Sequence, residues 1–510
     1  MTRLNAIITS IMMLACSFLY GQPASEEVYW SQFRGPNSTG LGPSDSQPPL
    51  EFGINNNLQW NTSIPSGTSS PVIWENSIYL TGYQEDKKAL LTFCIDRVSG
   101  EMIWCDTIFP EKTELYHAVS SPAQSTPAVD KDGIYVYFAS CGMRCYNHDG
   151  SVKWDLPMIC PEKKKWGHPV SPVVIDDIVI LNLDYRGEKF RSLLALNKQT
   201  GTTKWKTLTF DNPPLKHFGY PGYSTPVRYK DQVILHKSGG VAAYSLDDGQ
   251  PVWWLPVVTN GISTPLIHNE QVVIASWIEL TTDHQGDYFN YGSFEEFLSD
   301  YDKDSNHLIS RDEIPEDMML FDRPELTDIE NPKFTLLRSY TMLDSDKNDS
   351  INADEWKGFA DFVGKFVEDV GLFTVTAGKH GELTHDDILW NVEEKAPEVP
   401  SPVAFEDCIY MLKNGGWLTC MDARTGNIHY QERIGGSGAV LASPIVANSH
   451  LYLASYNGTI NVIKTGKSPI PVHETRLPGN IAATPAIAGN SLYVRTSDGL
   501  FAFTNQMPAR

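Results

Sequence analysis

Two stretches of twelve residues place oxygen-bearing side chains at fixed intervals, one from Asp302 to Glu313 and one from Asp344 to Glu355. Loop positions 1, 3 and 5 are Asp302, Asp304 and Asn306 in the first, and Asp344, Asp346 and Asn348 in the second. Position 9 is Ser310 or Asn352, and position 12 is Glu313 or Glu355. Alternate residues of a tight loop can turn their oxygens toward one point. A hard divalent cation such as Ca2+ takes about six to eight oxygens at about 2.3–2.6 Å. Leu308 and Ser350, at position 7, would each add a backbone carbonyl. Ser310 and Asn352 would bind directly or through water, and each Glu would close its site with two oxygens. A Glu at that position suits Ca2+ better than Mg2+. Two Ca2+ sites are expected.

The pattern is that of paired EF-hand loops. Such loops need helices on either side, and the flanking apolar residues recur at three and four positions. Phe294, Phe297, Leu298 and Tyr301 precede the first loop, and Leu336, Leu337, Tyr340 and Leu343 precede the second. Phe359, Phe362, Val363, Phe366, Val367 and Val370 follow it. Each loop is thus expected between helices. Ile309 and Ile351 at position 8 are expected to form a short two-stranded contact. The departure is at position 6, normally Gly, where His307 and Asp349 stand. The strain of a left-handed backbone there should weaken affinity toward the range of about 10⁻⁴–10⁻³ M common in extracellular modules.

The chain has 510 residues and a formal charge of −22. An acidic chain repels phosphate backbones, so no nucleic-acid partner is expected. From Asp283 to Asp369 there are 23 acidic and 8 basic residues, so most of the excess charge surrounds the two loops. The opening residues read as an export signal over 1–21, with Arg3 before the apolar run Ile7–Tyr20. The expected location is periplasmic or extracellular, with lipid anchoring through Cys16 as an alternative, and no other stretch could span a bilayer. Removal of the signal leaves Cys94, Cys105, Cys141, Cys145, Cys160, Cys408 and Cys420, an odd number. Cys408 and Cys420 would face each other across a Lys413-Asn414-Gly415 turn with Gly415 left-handed.

A second pattern organises the whole chain. A Ser/Thr-Pro phrase followed by apolar residues recurs at Pro71, Pro127, Pro172, Pro226, Pro265, Pro402, Pro444 and Pro485. Most phrases lead, through β-rich runs, to a Gly-bearing turn and a strand ending in Trp, as in Asp96 to Gly100 and then Trp104. Each unit therefore reads as about four antiparallel strands. A recurrence of about 40–55 residues per small sheet is the mark of a β-propeller, here with eight blades. The eighth unit lacks its Trp strand, and the strand around Trp60 near the start of the chain would complete it and close the ring.

These phrases resemble the repeats of the pyrroloquinoline quinone (PQQ)-like propeller family, in which a Ser/Thr-Pro start is followed by an Asp-x-x-Thr-Gly turn and a Trp. Asp422-Ala-Arg-Thr-Gly426 matches that turn in full, with Tyr430 in place of the Trp, and Asn197 to Gly201 matches with Asn for Asp. The opening Trp30-Ser-Gln-Phe-Arg34-Gly-Pro-Asn37 to Gly40 also resembles a motif of exported bacterial members. The resemblance implies an all-β eight-bladed propeller (PQQ-like) with an α-helical EF-hand pair inserted in blade five. The expected organisation is propeller over 30–282, insertion over 289–369 and propeller again over 371–510.

Fold alone does not fix an activity. A PQQ-dependent dehydrogenase is the alternative to a non-catalytic binding or assembly protein. The chain has no adjacent Cys-Cys pair of the kind that often lies against the quinone, so PQQ is not expected. No Gly-x-Ser-x-Gly elbow, His-Glu-x-x-His or phosphate loop is present, and no catalytic residue is assigned. Trp166, His168, Tyr220, Tyr223, Asn260 and Ser437 precede the phrases and are expected near the channel mouth, where a protein or small-molecule ligand could bind.

Overall fold

The computed structural model describes residues 29–158, 167–184, 191–209, 212–215, 221–278, 292–321, 326–328, 334–367, 370–392, 396–434 and 436–505. The expected signal over 1–21, with Cys16, lies outside them, as do Cys160, Trp166 and Tyr220.

Eight antiparallel sheets form the ring. Blade one shows the plan, with Val72–Trp74, Ser77–Gln84, Ala89–Asp96 and Met102–Ile108 in spatial order. The short first strands of neighbouring blades touch one another, so they line the axis, and the fourth strands lie outermost. The middle strands are apolar on both faces because each sheet is sandwiched between two others. Ile134, Val136 and Phe138 pack into blade one, whereas Tyr135 and Tyr137, on the opposite face of the same strand, pack into blade three. The eighth sheet takes its outer strand from Leu58–Thr62, in which Trp60 pairs with Ala502, so the start of the propeller closes its end. Blade four gains a fifth strand, Gly381–Glu382, parallel to its outer edge.

Two devices join the blades. The outer tryptophan of one blade stacks under the turn glycine of the next. Trp104 Nε1 donates to the His148 carbonyl at 3.1 Å. Gly150 has φ 88°, and a Cβ there would lie 2.8 Å from the Trp104 ring, so the turn demands glycine twice over. Trp60, Trp154 and Trp205 repeat the bond to the Arg97, Lys198 and Leu246 carbonyls. Tyr430 stands where this tryptophan would be in blade six, and a Cβ on Gly466 of the next blade would meet nothing within 4 Å.

The second device is a belt around the axis, built from the hydroxyls of the phrases. Ser70 N–H donates to Thr126 Oγ1 at 2.9 Å, and Thr126 N–H to Ser171 Oγ at 3.0 Å. Thr225 donates to Thr264 at 3.3 Å, Thr264 to Ser401 at 2.8 Å and Ser401 to Ser443 at 3.0 Å. Ser443 donates to Thr484 at 3.0 Å, and Thr484 returns to Ser70 at 3.0 Å.

The N-terminal segment crosses the axis and bonds the open edges of the first strands. Ile73 N–H donates to the Trp30 carbonyl at 2.7 Å and Val129 N–H to Ser31 at 2.8 Å. Asn37 bonds the Arg228 backbone through both its oxygen and its nitrogen. Arg34, fully buried, donates to the Pro402 carbonyl, and Val446 exchanges bonds with Gly40 and Gly42. The motif that opens the propeller therefore fills the channel from within.

One sequence-based expectation fails here. Gly415 is left-handed (φ 76°), but the three-residue turn is Asn414–Gly416, one residue later than expected, so Lys413 pairs with Trp417. Cys408 then lies opposite Asp422 and Cys420 opposite Tyr410, and all six described cysteines are free thiols.

The belt gives a test of ring cohesion. Thr484→Val keeps the shape but leaves the buried Ser443 N–H without its acceptor. The variant should lose about 1–3 kcal/mol of unfolding free energy, read as a lower urea midpoint at unchanged slope.

Candidate metal centre

The second strand of blade five, Gln271–Ser276, and its third, Gly371–Thr376, are hairpin partners, with Ser276 opposite Gly371. The segment between them carries both acidic loops. Helix α1 (Phe294–Tyr301) opens with a capping box in which Ser293 and Glu296 satisfy each other's backbone N–H. Its last residue leads straight into Asp302. Helix α2 (Tyr340–Leu343), preceded by a 3-10 turn Leu336–Ser339, leads into Asp344, and α3 (Ala353–Val367) leaves the second loop. The first loop departs from expectation. Only a three-residue 3-10 turn, Arg311–Glu313, closes it, and Pro315 and a strand Met319–Phe321 come next. Pro315 lacks an N–H and cannot continue an α-helix from that turn.

Both loops share one apolar core that includes Phe297, Ile309, Leu343, Ile351 and Trp356. Ile309 pairs with Ile351 in a two-residue antiparallel contact, with Ser310 opposite Ser350. His307 and Asp349 adopt φ 64° and 62°, as position 6 requires.

The loops repeat each other bond for bond. Asp302 accepts the N–H of Asn306 and of His307 at 3.2 and 2.9 Å. Asp344 accepts those of Asn348 and Asp349, both at 3.0 Å. The amides of Asn306 and Asn348 donate to Asp304 and Asp346, each at 2.9 Å. Leu308 and Ser350 donate their N–H to Asn306 and Asn348, each at 2.8 Å. Glu313 accepts from Lys303 N–H at 2.8 Å and from Ser310 N–H and hydroxyl at 2.7 and 2.9 Å. Glu355 accepts from Ser345, Asp346 and Asn352 N–H. Burial alone would raise the Glu313 carboxyl, but these donors hold it below the ordinary carboxylate range.

Asp302, Asp304 and Glu313 bring carboxylate oxygens within 4.8 Å of one another, as do Asp344, Asp346 and Glu355. Asn352 immediately precedes α3. Its oxygen accepts the N–H of Asp354 and Glu355 and caps α3. Tyr340 was visible in sequence only as an apolar helix position. Its hydroxyl donates toward the Ile309 and Asp349 carbonyls at 3.2 and 2.8 Å and so ties the two loops together.

Residues 118–279 match the family model for the outer membrane protein assembly factor BamB. The assembly factor BamB of Yersinia pestis is 29% identical over 203 residues, 38% of this chain and 46% of that protein. The chain thus spans about half the length of that relative. BamB from Moraxella catarrhalis superimposes with a TM-score of 0.50 at 10% identity, over 88% of this chain and 99% of that one. A europium-containing methanol dehydrogenase does so with a TM-score of 0.56 at 11% identity, over 92% and 90%. The protein is an eight-bladed β-propeller that resembles the PQQ-like family. At such identities the structural likenesses establish the fold, not the activity. Among the described residues, no helix of the propeller is long and apolar enough to cross a membrane.

Of the residues expected near the channel mouth, those described do not all come together. His168 is fully buried, meeting Tyr137 and Tyr223 edge-on at 6.0 and 6.2 Å. Burial pulls its pKa to about 3, so it is neutral. Asn260 donates its N–H to the Trp277 carbonyl, and Ser437 lies exposed with its carbonyl bonded to Asn457. Other buried ionisable groups bond the chain itself. Lys237, held at about 8 by burial, donates to the Thr209 carbonyl at 2.9 Å. Arg191 pairs with Asp184 at 3.2 Å, and Arg495 bonds Ser69 and Pro65. Glu114, in the connection between blades one and two, accepts from Gln124 at 3.3 Å. Burial raises its carboxyl to about 8 despite that bond.

A raised carboxyl binds its proton more tightly in the folded chain. The stability it contributes is complete below the unfolded value near 4.3 and is lost as pH rises through about 8. Glu114→Gln removes this titration. The unfolding free energy of the variant relative to the native chain should therefore rise steadily from pH 4.5 to 8 and level off above it, as followed by urea unfolding at each pH.

Proposed function

We propose that this chain is an exported PQQ-like propeller that binds two calcium ions through the loops Asp302–Glu313 and Asp344–Glu355 and serves in binding or assembly rather than catalysis. The observation that carries the reading is the duplicated carboxylate triad, Asp302, Asp304 and Glu313 beside Asp344, Asp346 and Glu355. Three carboxylates drawn to one point repel each other unless a cation lies between them, and this donor set is all oxygen, as Ca2+ prefers. Asn306 and Asn348, the carbonyls of Leu308 and Ser350, and Ser310 and Asn352, directly or through water, would complete the two shells.

The assembly side of the reading rests on the match to a protein named as an outer membrane assembly factor. Export rests on the apolar stretch behind Arg3 and would place the loops where calcium is abundant. The non-catalytic reading is supported by the axis. Inner-strand edges of blades one, two, four and seven bond the N-terminal segment, and the buried cations bond the chain's own carbonyls and carboxylates.

Calorimetric titration of the calcium-stripped chain should show uptake of two ions, and Glu313→Gln with Glu355→Gln should weaken it by at least about tenfold, since each Glu supplies two of the oxygens. Identical titrations of the two proteins would remove the calcium reading. Added PQQ with calcium should give no dye reduction, whereas reduction would move the protein to the quinone-dependent dehydrogenases.

A further inference from the structure

Asp328 lies between the two loops in sequence but reaches a different part of the ring. Its Oδ1 accepts the N–H of Ala439 at 2.7 Å, in the connection between blades six and seven. Gly438 beside it has φ 93°, and a Cβ there would come within 2.4 Å of the carboxylate. The receiving connection is held from all sides. Gly438 accepts Gly415 N–H at 2.7 Å, Ala439 accepts Tyr456 N–H at 2.9 Å, and Val440 donates to Asn414 at 2.8 Å.

The geometry points to a latch in which Asp328 pins the loop-bearing insertion across the face of the ring, and calcium binding favours the pinned state. The inference rests on the calcium reading above and deepens it. Three facts carry it. The insertion is fixed at both ends in blade five, where Ser276 faces Gly371, so Asp328 is a third attachment, one to two blades away. The loops share one core, which also takes in Ile314, Leu320 and Leu336 from the segment between them. The stretch from Asp283 to Asp369 carries a net −15 of the chain's −22, so insertion and ring repel each other. Two bound Ca2+ ions remove part of that repulsion and favour docking. Coupling of this kind is reciprocal: what calcium does to the latch, the latch does to calcium affinity.

The test uses the full chain with calcium alone as the probe. In the native protein, calcium should slow hydrogen exchange at the Ala439 amide about fivefold, and Asp328→Ala should weaken calcium binding by the same factor. Gly438→Ala should act as Asp328→Ala does, and Asp328→Asn, which keeps an acceptor oxygen, should restore part of the effect. Equal calcium affinity in the native chain and Asp328→Ala, with Ala439 exchange indifferent to calcium, overturns the latch and leaves the calcium reading standing. Absence of calcium uptake by the native chain overturns both.

Discussion

A closed ring of sheets offers its innermost strands no further sheet to pair with, so neighbouring blades must be held at the axis by something else. Here it is the hydroxyl one residue before the phrase proline, which at seven of the eight phrases accepts a backbone N–H from the preceding blade. Proline follows because that residue has no N–H of its own to satisfy. The same belt sets the relative angle of the blades, which in turn brings each outer tryptophan under the next turn glycine. The inner bond and the outer stack are two ends of one constraint. A sheet fixed at both radii leaves its middle strands free to be apolar on both faces.

The remaining open edges on the axis explain the N-terminal segment. Three-residue first strands leave N–H and C=O groups facing a channel, and buried groups of that kind cost free energy when unpaired. Trp30 to Gly42 supplies the partners, with Arg34 buried at the centre of the crossing. A chain that fills its own channel keeps ligand recognition to its faces and rims. The belt face is where the connections between blades and the insertion of blade five both emerge.

Periodicity made the ring legible. Eight Ser/Thr-Pro phrases in register gave the blade count, and the stray strand at Trp60 gave the closure, because both are local patterns repeated at a fixed interval. The acidic loops were legible for the same reason, since their ligand types stand at fixed offsets. Contacts between distant segments were not. Nothing near Asp328 announces Ala439, and nothing near Tyr340 announces that its hydroxyl spans two loops. The cysteine pairing failed on a single residue, because a turn placed one residue later shifts every partner across the hairpin by two. The helix expected after the first loop failed on Pro315, which was in plain view but whose effect depends on how soon the chain must turn back.

An insertion in a hairpin costs little when its ends are already neighbours. Ser276 and Gly371 pair directly, so the insertion closes a loop whose endpoints the sheet fixes regardless, and loop entropy grows only slowly with length. That economy also limits what the loops can do. A free pair of helices can swing apart when its loops change shape, whereas this insertion leaves and rejoins blade five at paired residues, and Asp328 bonds Ala439 between blades six and seven. A change in either loop must then be absorbed inside the shared core or passed to the connection at Gly438. The first loop, followed by Pro315 and a strand rather than a helix, has little to swing. The second has behind it the fifteen residues of α3, which end four residues before the third strand of blade five.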